Sequence, residues 1–374
     1  MRRRLFEVEN LRIAVEDHHA ANARGDQPPR SVHGDRLADG WVEVIPGAAY
    51  GVNAGETLAI IGESSSGKSL MLLGAFGLLP AGCRVLGGTT TYRGLGFEPG
   101  GNREDPERPI RRKERRLLQR AGTVTDDVDP EWGRAIGTEV GFLFQNPISS
   151  WTPILEIGSQ AGEALAAHTD LSNDEIRERV VDALGEVQLP KTNRMVRAFS
   201  SQLSRGMGQR AMLAAALVKA PRLLIADEPL SGLDVSVSAA ILDLIKDLNE
   251  RRGMAMVIVT HDLAVVARVA DRVAVVYGGR IVEEGPIEET FRRPQHPYTS
   301  GLLGSIPALA TGRLRPIPGE QPPLAEIPRG RCAFAPRCAY ASDVCRTREP
   351  PSQTTHHGRV ACHHAAEISL PGIT

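Results

Sequence analysis

The sequence predicts an α/β fold: a mostly parallel sheet covered by helices on both faces, a β-rich segment before it and a small irregular extension after it. Three observations carry this reading. From Val140 onward, short apolar strands alternate with amphipathic helical stretches, the pattern of successive βαβ units. At Thr57–Ser69, a glycine-rich turn joins an apolar strand to a helix, as phosphate-binding loops do. After Glu284, Pro and Gly replace the periodic texture, and four of the five cysteines fall within 31 residues. With 374 residues the chain has length for two domains and a sizeable core.

Taken in order, the first 15 residues read as a partly alternating strand, with Phe6 and Val8 followed by Leu11, Ile13 and Val15. Residues 16–39 are polar and rich in His, Asn, Pro and Gly, the composition of a long loop or insertion. Strand character returns at Trp41–Ile45 and Thr57–Ile61, closed by Pro46 and Gly62. From Ser69 to Leu79 apolar residues crowd on both sides, as in a helix packed under a sheet. Residues 94–131 break the pattern with Gly, Pro and charge. The basic run Arg108–Arg120 reads as a solvated insertion, because it lacks the interleaved aromatics of a nucleic-acid surface. A strand at Val140–Phe144 and helical stretches at Ile157–Ala167 and Ser172–Val187 precede a Ser/Gly-rich turn at Ser200–Gly208. The next helix places Met207, Ala211, Ala214, Ala215 and Val218 on one face. Strand Leu223–Ala226, a helix carrying Ile241, Leu242, Leu244, Ile245 and Leu248, strand Met256–Thr260, another helix and strand Val273–Tyr277 complete the alternation.

Composition excludes several classes of function. Forty-four basic residues against 45 acidic ones give a formal charge of −1, so no global field attracts nucleic acid or an anionic membrane. The longest unbroken apolar stretch, Ala211–Val218, is far shorter than the roughly 20 residues of a membrane span. Arg2–Arg4 resembles the basic start of a signal peptide, but Glu7 and Glu9 arrive before an apolar region can form, so no secretion signal is expected.

The chemistry concentrates in a few motifs. Gly62, Glu63, Ser64, Ser65, Ser66, Gly67, Lys68 and Ser69 fit G-x-x-x-x-G-K-[ST] between a strand and a helix. Such a loop wraps backbone N–H groups around phosphates, while Lys68 reaches the terminal phosphates and the Ser69 hydroxyl ligates Mg²⁺. Further along, the apolar strand Leu223–Ala226 runs into Asp227 and Glu228. A carboxylate at the end of a buried parallel strand emerges at the edge where open α/β sheets bind ligands. Asp227 is expected to hold Mg²⁺ and Glu228 to act as general base on the attacking water. By itself an Asp-Glu-Pro strand exit is common; joined to the phosphate loop it points to nucleotide hydrolysis.

With these residues in place, the chain resembles the ATP-binding cassette (ABC) ATPases over residues 5–290, since the family's other motifs follow in order. Gln145 matches the Q-loop glutamine that meets Mg²⁺ and the water. Leu203–Met207 resembles the signature, in which Ser204, Arg205, Gly206 and Met207 open a helix and face the nucleotide of the opposite subunit. Ser231–Asp234 matches the D-loop, with Asp234 at its end, and His261 matches the switch histidine. The resemblance implies a P-loop NTPase core with an N-terminal β-subdomain and a helical subdomain at about 146–220. It also implies two subunits glued by ATP and separated by its hydrolysis. Two residues depart from the family pattern. Arg205 replaces the first glycine of the signature pair and is expected to point to solvent, and Ser65 stands where relatives often have Gly. Trp41 is the candidate for stacking on adenine, with Tyr50 second.

Gln145–Pro153, Thr260–Val266, His296–Thr299 and Ile317–Pro323 are similar to the oligopeptide, dipeptide and nickel importer subfamily. That resemblance implies a homologous second ATPase, as heterodimer or homodimer, two membrane permeases and an extracytoplasmic solute-binding protein, with no nucleic acid. It places the chain peripherally on the cytoplasmic face of the membrane, and the segment after Gln145 against the permeases.

The domains expected are 1–290 for nucleotide binding, with insertions at 16–39 and 94–131, and 291–374 for the extension. Cys332, Cys338, Cys345 and Cys362 lie in that extension and Cys83 stands apart. Disulfides are disfavoured in a cytosolic protein, which leaves a metal site as the leading account. The spacing lacks the short knuckles of structural zinc and suits a Cys₄ cluster better. Relatives that hold [4Fe–4S] in this tail imply the same here, with Zn²⁺ as the alternative and His363 or His364 able to replace a thiolate. Two other functions compete: a soluble cassette ATPase of translation or DNA repair, and a regulatory ATP-binding subunit whose cluster senses redox state. The first is opposed by the absence of heptads and of a second phosphate loop, the second by Glu228 and His261.

Overall fold

The computed structural model describes residues 4–16, 36–37, 40–98, 130–189, 192–305 and 316–373. Its strands in chain order are β1 (Arg4–Glu16), β2 (Arg36–Leu37), β3 (Trp41–Asn53), β4 (Thr57–Ile61), β5 (Cys83–Tyr92), β6 (Leu95–Phe97), β7 (Val140–Leu143), β8 (Leu223–Asp227), β9 (Ala255–Thr260), β10 (Arg272–Tyr277), β11 (Arg280–Pro286), β12 (Gln353–Thr355) and β13 (Gly358–Val360). The chain forms two compact units. One comprises Met1–Leu5, Val52–Thr57 and Asp129–Thr260; the other comprises Phe6–Gly51, Leu58–Val128 and His261–Thr374.

In the first unit β7, β8 and β9 lie side by side in parallel, with Leu143 opposite Ala226 and Asp227 opposite Val259. Every residue of β8 and β9 is buried. Their sequences are therefore unbroken apolar runs, because a strand covered on both faces has no solvent side toward which to alternate. The helix Asn173–Glu186 begins at a capping box between Ser172 and Glu175. It packs against the helix Arg205–Leu217, which also meets the helix Ile157–Ala161 and β7. Enclosure on several sides explains why Arg205–Leu217 buries Gly208, Gln209, Met212, Leu213, Ala216 and Leu217 besides Ala211 and Ala214 of the expected stripe, whose Met207 and Ala215 are only half-buried. The helix also starts inside the expected turn at 200–208, because the Ser204 side chain caps it.

In the second unit β4 and β10 pair in parallel, with Ile61 opposite Val275, and β11, β13 and β12 extend this arrangement antiparallel. A separate sheet has the order β2-β3-β1-β5-β6. Strand β5 was not legible in the sequence. It carries Gly87, Gly88 and a run of Thr, is half-buried over most of its length and shows no alternation; pairing with β1, Phe6 opposite Tyr92, defines it. Strand β6 occupies the start of the expected insertion 94–131, and the helix Pro130–Glu139 its end. Residues 99–129, and residues 17–35 and 38–39 of the other expected insertion, lie outside the described residues. The helix expected over 69–79 spans Lys68–Gly74. Residues 316–373 form short 3₁₀ turns, one helix at Asp343–Thr347 and the β12–β13 hairpin. Among the described residues, no helix is long and apolar enough to cross a membrane.

Candidate functional site

The phosphate-loop pattern folds as a loop between β4 and the helix Lys68–Gly74. Gly67 opens that helix in the left-handed region, φ 100°, and a Cβ there would stand 2.8 Å from Ile45 Cδ1. Glycine is thus required on two counts, and having no side chain it leaves the first-turn N–H groups without a side-chain cap. Lys68 is buried, and its ammonium donates to the backbone oxygens of Gly62, at 3.0 Å, and Glu63, at 2.8 Å. The loop is braced from below by the Gly279 N–H, which donates to the Ser66 carbonyl at 2.9 Å. Ser65 adopts φ 63°, a left-handed conformation that costs a non-glycine residue about 1 kcal/mol. This accounts for glycine being the usual occupant in the family pattern.

Residues 316–337 of the extension lie directly on this loop, an association that the sequence did not disclose. Arg337 forms a two-pronged pair with the Glu63 carboxylate, Nη1 to Oε2 at 2.6 Å and Nη2 to Oε1 at 3.0 Å. The Glu63 N–H donates to the Tyr298 hydroxyl at 2.8 Å, and Gln321 Nε2 donates to the Ser65 carbonyl at 3.1 Å. Arg337 stands 274 positions after Glu63, so no local periodicity links them.

In the first unit, Gln145, Asp227 and Glu228 gather at the carboxyl ends of adjacent strands β7 and β8. Gln145 is exposed, whereas Asp227 and Glu228 are buried. Glu228 has φ 47°, another left-handed non-glycine residue, fixed by its N–H donating to the Val259 carbonyl at 2.9 Å. Such strain persists where surroundings over-determine it and aims the side chain out of the strand direction. His261 directly follows β9 and is exposed.

The signature and the D-loop meet within the same unit. Ser204 caps its helix by accepting from the Met207 N–H at 3.3 Å. Asp234 caps the helix Val235–Arg252, accepting from the Val237 N–H at 3.0 Å and the Ser236 hydroxyl at 2.7 Å; these bonds hold its carboxyl below the usual range. Gly206 permits close approach of the two helix starts, since a Cβ there would sit 2.9 Å from Val237 Cγ1. Arg205 is exposed, as expected, and its Nη1 also donates to the Gly232 carbonyl of the D-loop at 3.0 Å. A long guanidinium can reach a backbone acceptor at this distance along the chain.

Of the aromatic candidates, Tyr50 is buried and donates its hydroxyl to the Met71 carbonyl at 2.9 Å, which removes it as a base platform. Trp41 is half-buried, with the Arg84 guanidinium 4.4 Å from its ring centroid. One face of that indole is thereby occupied.

All five cysteines are free thiols. Burial pushes the Cys332, Cys338 and Cys362 thiols up, Cys338 to about 11, and the neighbouring sulfurs of the group raise each further. Cys345 is also raised by burial, but bonds from Ser342 and His364 bring it below its ordinary value. Four sulfurs within one another's field are donor chemistry suited to a soft cation. Yet among the described residues no group of three or more His, Cys, Asp or Glu side chains is posed to hold a metal ion. His364 is taken up by Ser342, at 2.7 Å, and Glu367, at 2.9 Å, and the other alternative ligand, His363, lies 3.1 Å from the Arg348 carbonyl.

Residues 109–231 match the ABC transporter family, and residues 282–345 match the family described as oligopeptide/dipeptide transporter, C-terminal region. A putative peptide import ATP-binding protein of Brucella ovis is 43% identical over 320 residues, covering 82% of this chain and 87% of the relative. The dipeptide transport ATP-binding protein DppD of Escherichia coli is 37% identical over 338 residues, covering 89% of this chain and 94% of the relative. Among solved structures, the dimeric post-hydrolysis ATP-binding cassette MJ0796 bound to ADP and Pi shares the fold. Its TM-score is 0.54 at 23% identity, over 76% of this chain and 99% of the cassette.

Proposed function

Because the chain belongs to the ABC transporter ATPases that carry the oligopeptide/dipeptide transporter C-terminal region, we propose that it is the ATP-hydrolysing subunit of a peptide importer. The observation that carries this reading is the presence in one chain of a phosphate loop and a tail of the oligopeptide/dipeptide type. In this proposal the N–H groups of residues 62–69 and the Lys68 ammonium bind the phosphates, and Trp41 stacks on adenine by its remaining face. Ser69, Asp227 and Gln145 hold Mg²⁺, whose charge supports the leaving phosphate. Glu228 takes the proton of the attacking water, and His261 contacts the transferred phosphoryl group. Ser204, Arg205, Gly206 and Met207 serve the nucleotide of a second ATPase, and Asp234 lies at that interface. Residues 1–290 form the nucleotide-binding domain and 291–374 the extension.

The partners proposed are a homologous ATPase, two permeases and an extracytoplasmic solute-binding protein, which together hold the chain on the cytoplasmic face of the membrane. Affinity capture of the chain from native membranes is expected to recover two permeases and a second ATPase. Recovery of ribosomes or DNA in their place would overturn the importer reading.

We further propose that Cys332, Cys338, Cys345 and Cys362 ligate a [4Fe–4S] cluster, with Zn²⁺ as the alternative. Its support is the mutual field of four buried or half-buried sulfurs, which a bound cation would relieve. When bound, such a group would tie four separated tail segments together. Anaerobic purification is expected to yield brown protein containing iron and acid-labile sulfide. A colourless protein with stoichiometric zinc would decide against iron–sulfur.

A further inference from the structure

The association of the extension with the phosphate loop rests on more than surface contact. Arg337 is buried, and besides Glu63 its guanidinium serves two backbone carbonyls, Pro318 at 2.9 Å through Nε and Gly319 at 3.0 Å through Nη2. Its Cζ lies 5.8 Å from the Tyr277 ring centroid. Tyr277, Tyr298 and Phe334 form an aromatic cluster beside it, with centroids 4.7–5.4 Å apart. A bidentate guanidinium fork that also donates to two backbone carbonyls is a fixed geometric element, unlike an exposed ion pair. Two loop residues are thereby addressed: Glu63 by Arg337 and Tyr298, and Ser65 by Gln321.

We infer that Arg337 is a positioning residue for ATP. It holds the Glu63–Ser65 backbone in the conformation that receives the phosphates, and it cancels the Glu63 charge that would otherwise repel them. The inference rests on reading residues 62–69 as the nucleotide loop. The carboxylate belongs to the same loop as Lys68, five residues before it. Left unpaired it would oppose a polyphosphate at short range, where like charges are costly. The extension therefore belongs to the nucleotide site and is more than an appendage to the cassette.

The test is nucleotide binding and turnover by the full chain in its assembled complex, comparing Arg337→Met, Arg337→Lys and Lys68→Ala. Arg337→Met is expected to raise both the Kd and the KM for MgATP about tenfold, the scale of one charge-assisted contact, with kcat changed less than about twofold. Because part of the loss is like-charge repulsion, it should shrink as ionic strength rises. Arg337→Lys, which keeps the charge and loses the fork, should bind within about threefold of the unaltered protein. Unchanged affinity in Arg337→Met overturns the inference. So does equal damage from Met and Lys with no salt dependence, the signature of a merely structural role. Lys68→Ala separates the two readings: if it too binds normally, the assignment of the loop itself fails.

Discussion

Replacing Lys68 by Ala is expected to lower kcat/KM for ATP about a hundredfold or more, because charge-assisted bonds to the phosphates disappear together. The contacts of Lys68 add a second consequence. Lys68 is buried and satisfies the backbone oxygens of Gly62 and Glu63. Alanine leaves both acceptors without that donor, so the free protein should also lose about 1–2 kcal/mol of stability. Thermal unfolding in the absence of nucleotide measures that loss, and nucleotide titration of the folded variant measures the first effect. Turnover within about threefold of the unaltered complex would remove this loop from the active site.

Glu228→Gln separates binding from chemistry. Gln has nearly the same shape and keeps the strained backbone at φ 47°, which the bond from its N–H to the Val259 carbonyl maintains. It can still orient a water but cannot take the proton, so kcat should fall about 100-fold or more while ATP affinity stays within about threefold. The variant should therefore accumulate as an ATP-bound dimer, measurable by size and by retained nucleotide. Normal turnover would pass the role of base to another group.

Parts of this protein were legible in sequence because they are encoded by neighbours. The phosphate loop is a run of eight residues whose spacing dictates its backbone, and β8 and β9 announce burial on both faces by continuous apolar composition. The misreadings share a cause. Strand β5 has glycines and threonines that pair only because β1 lies beside them, and the boundaries of the helix after Ser204 depended on a cap inside a Ser/Gly-rich stretch. Tyr50 offered an aromatic ring at a plausible place, but burial against the core and a bond to Met71 give it a structural task.

The sequence by itself carried the motif pattern of the cassette family, from the phosphate-loop pattern at 62–69 to the strand exit at Asp227 and Glu228, since each motif is a run of residues adjacent in the chain. Only the tertiary structure decided what the cysteine-bearing extension touches. Arg337 reaches Glu63 across 274 positions, and Arg205 reaches Gly232 across 27. Contacts at such separations leave no periodic mark, because they are set by how packed elements bring distant surfaces together and not by the turn or pleat of any single element.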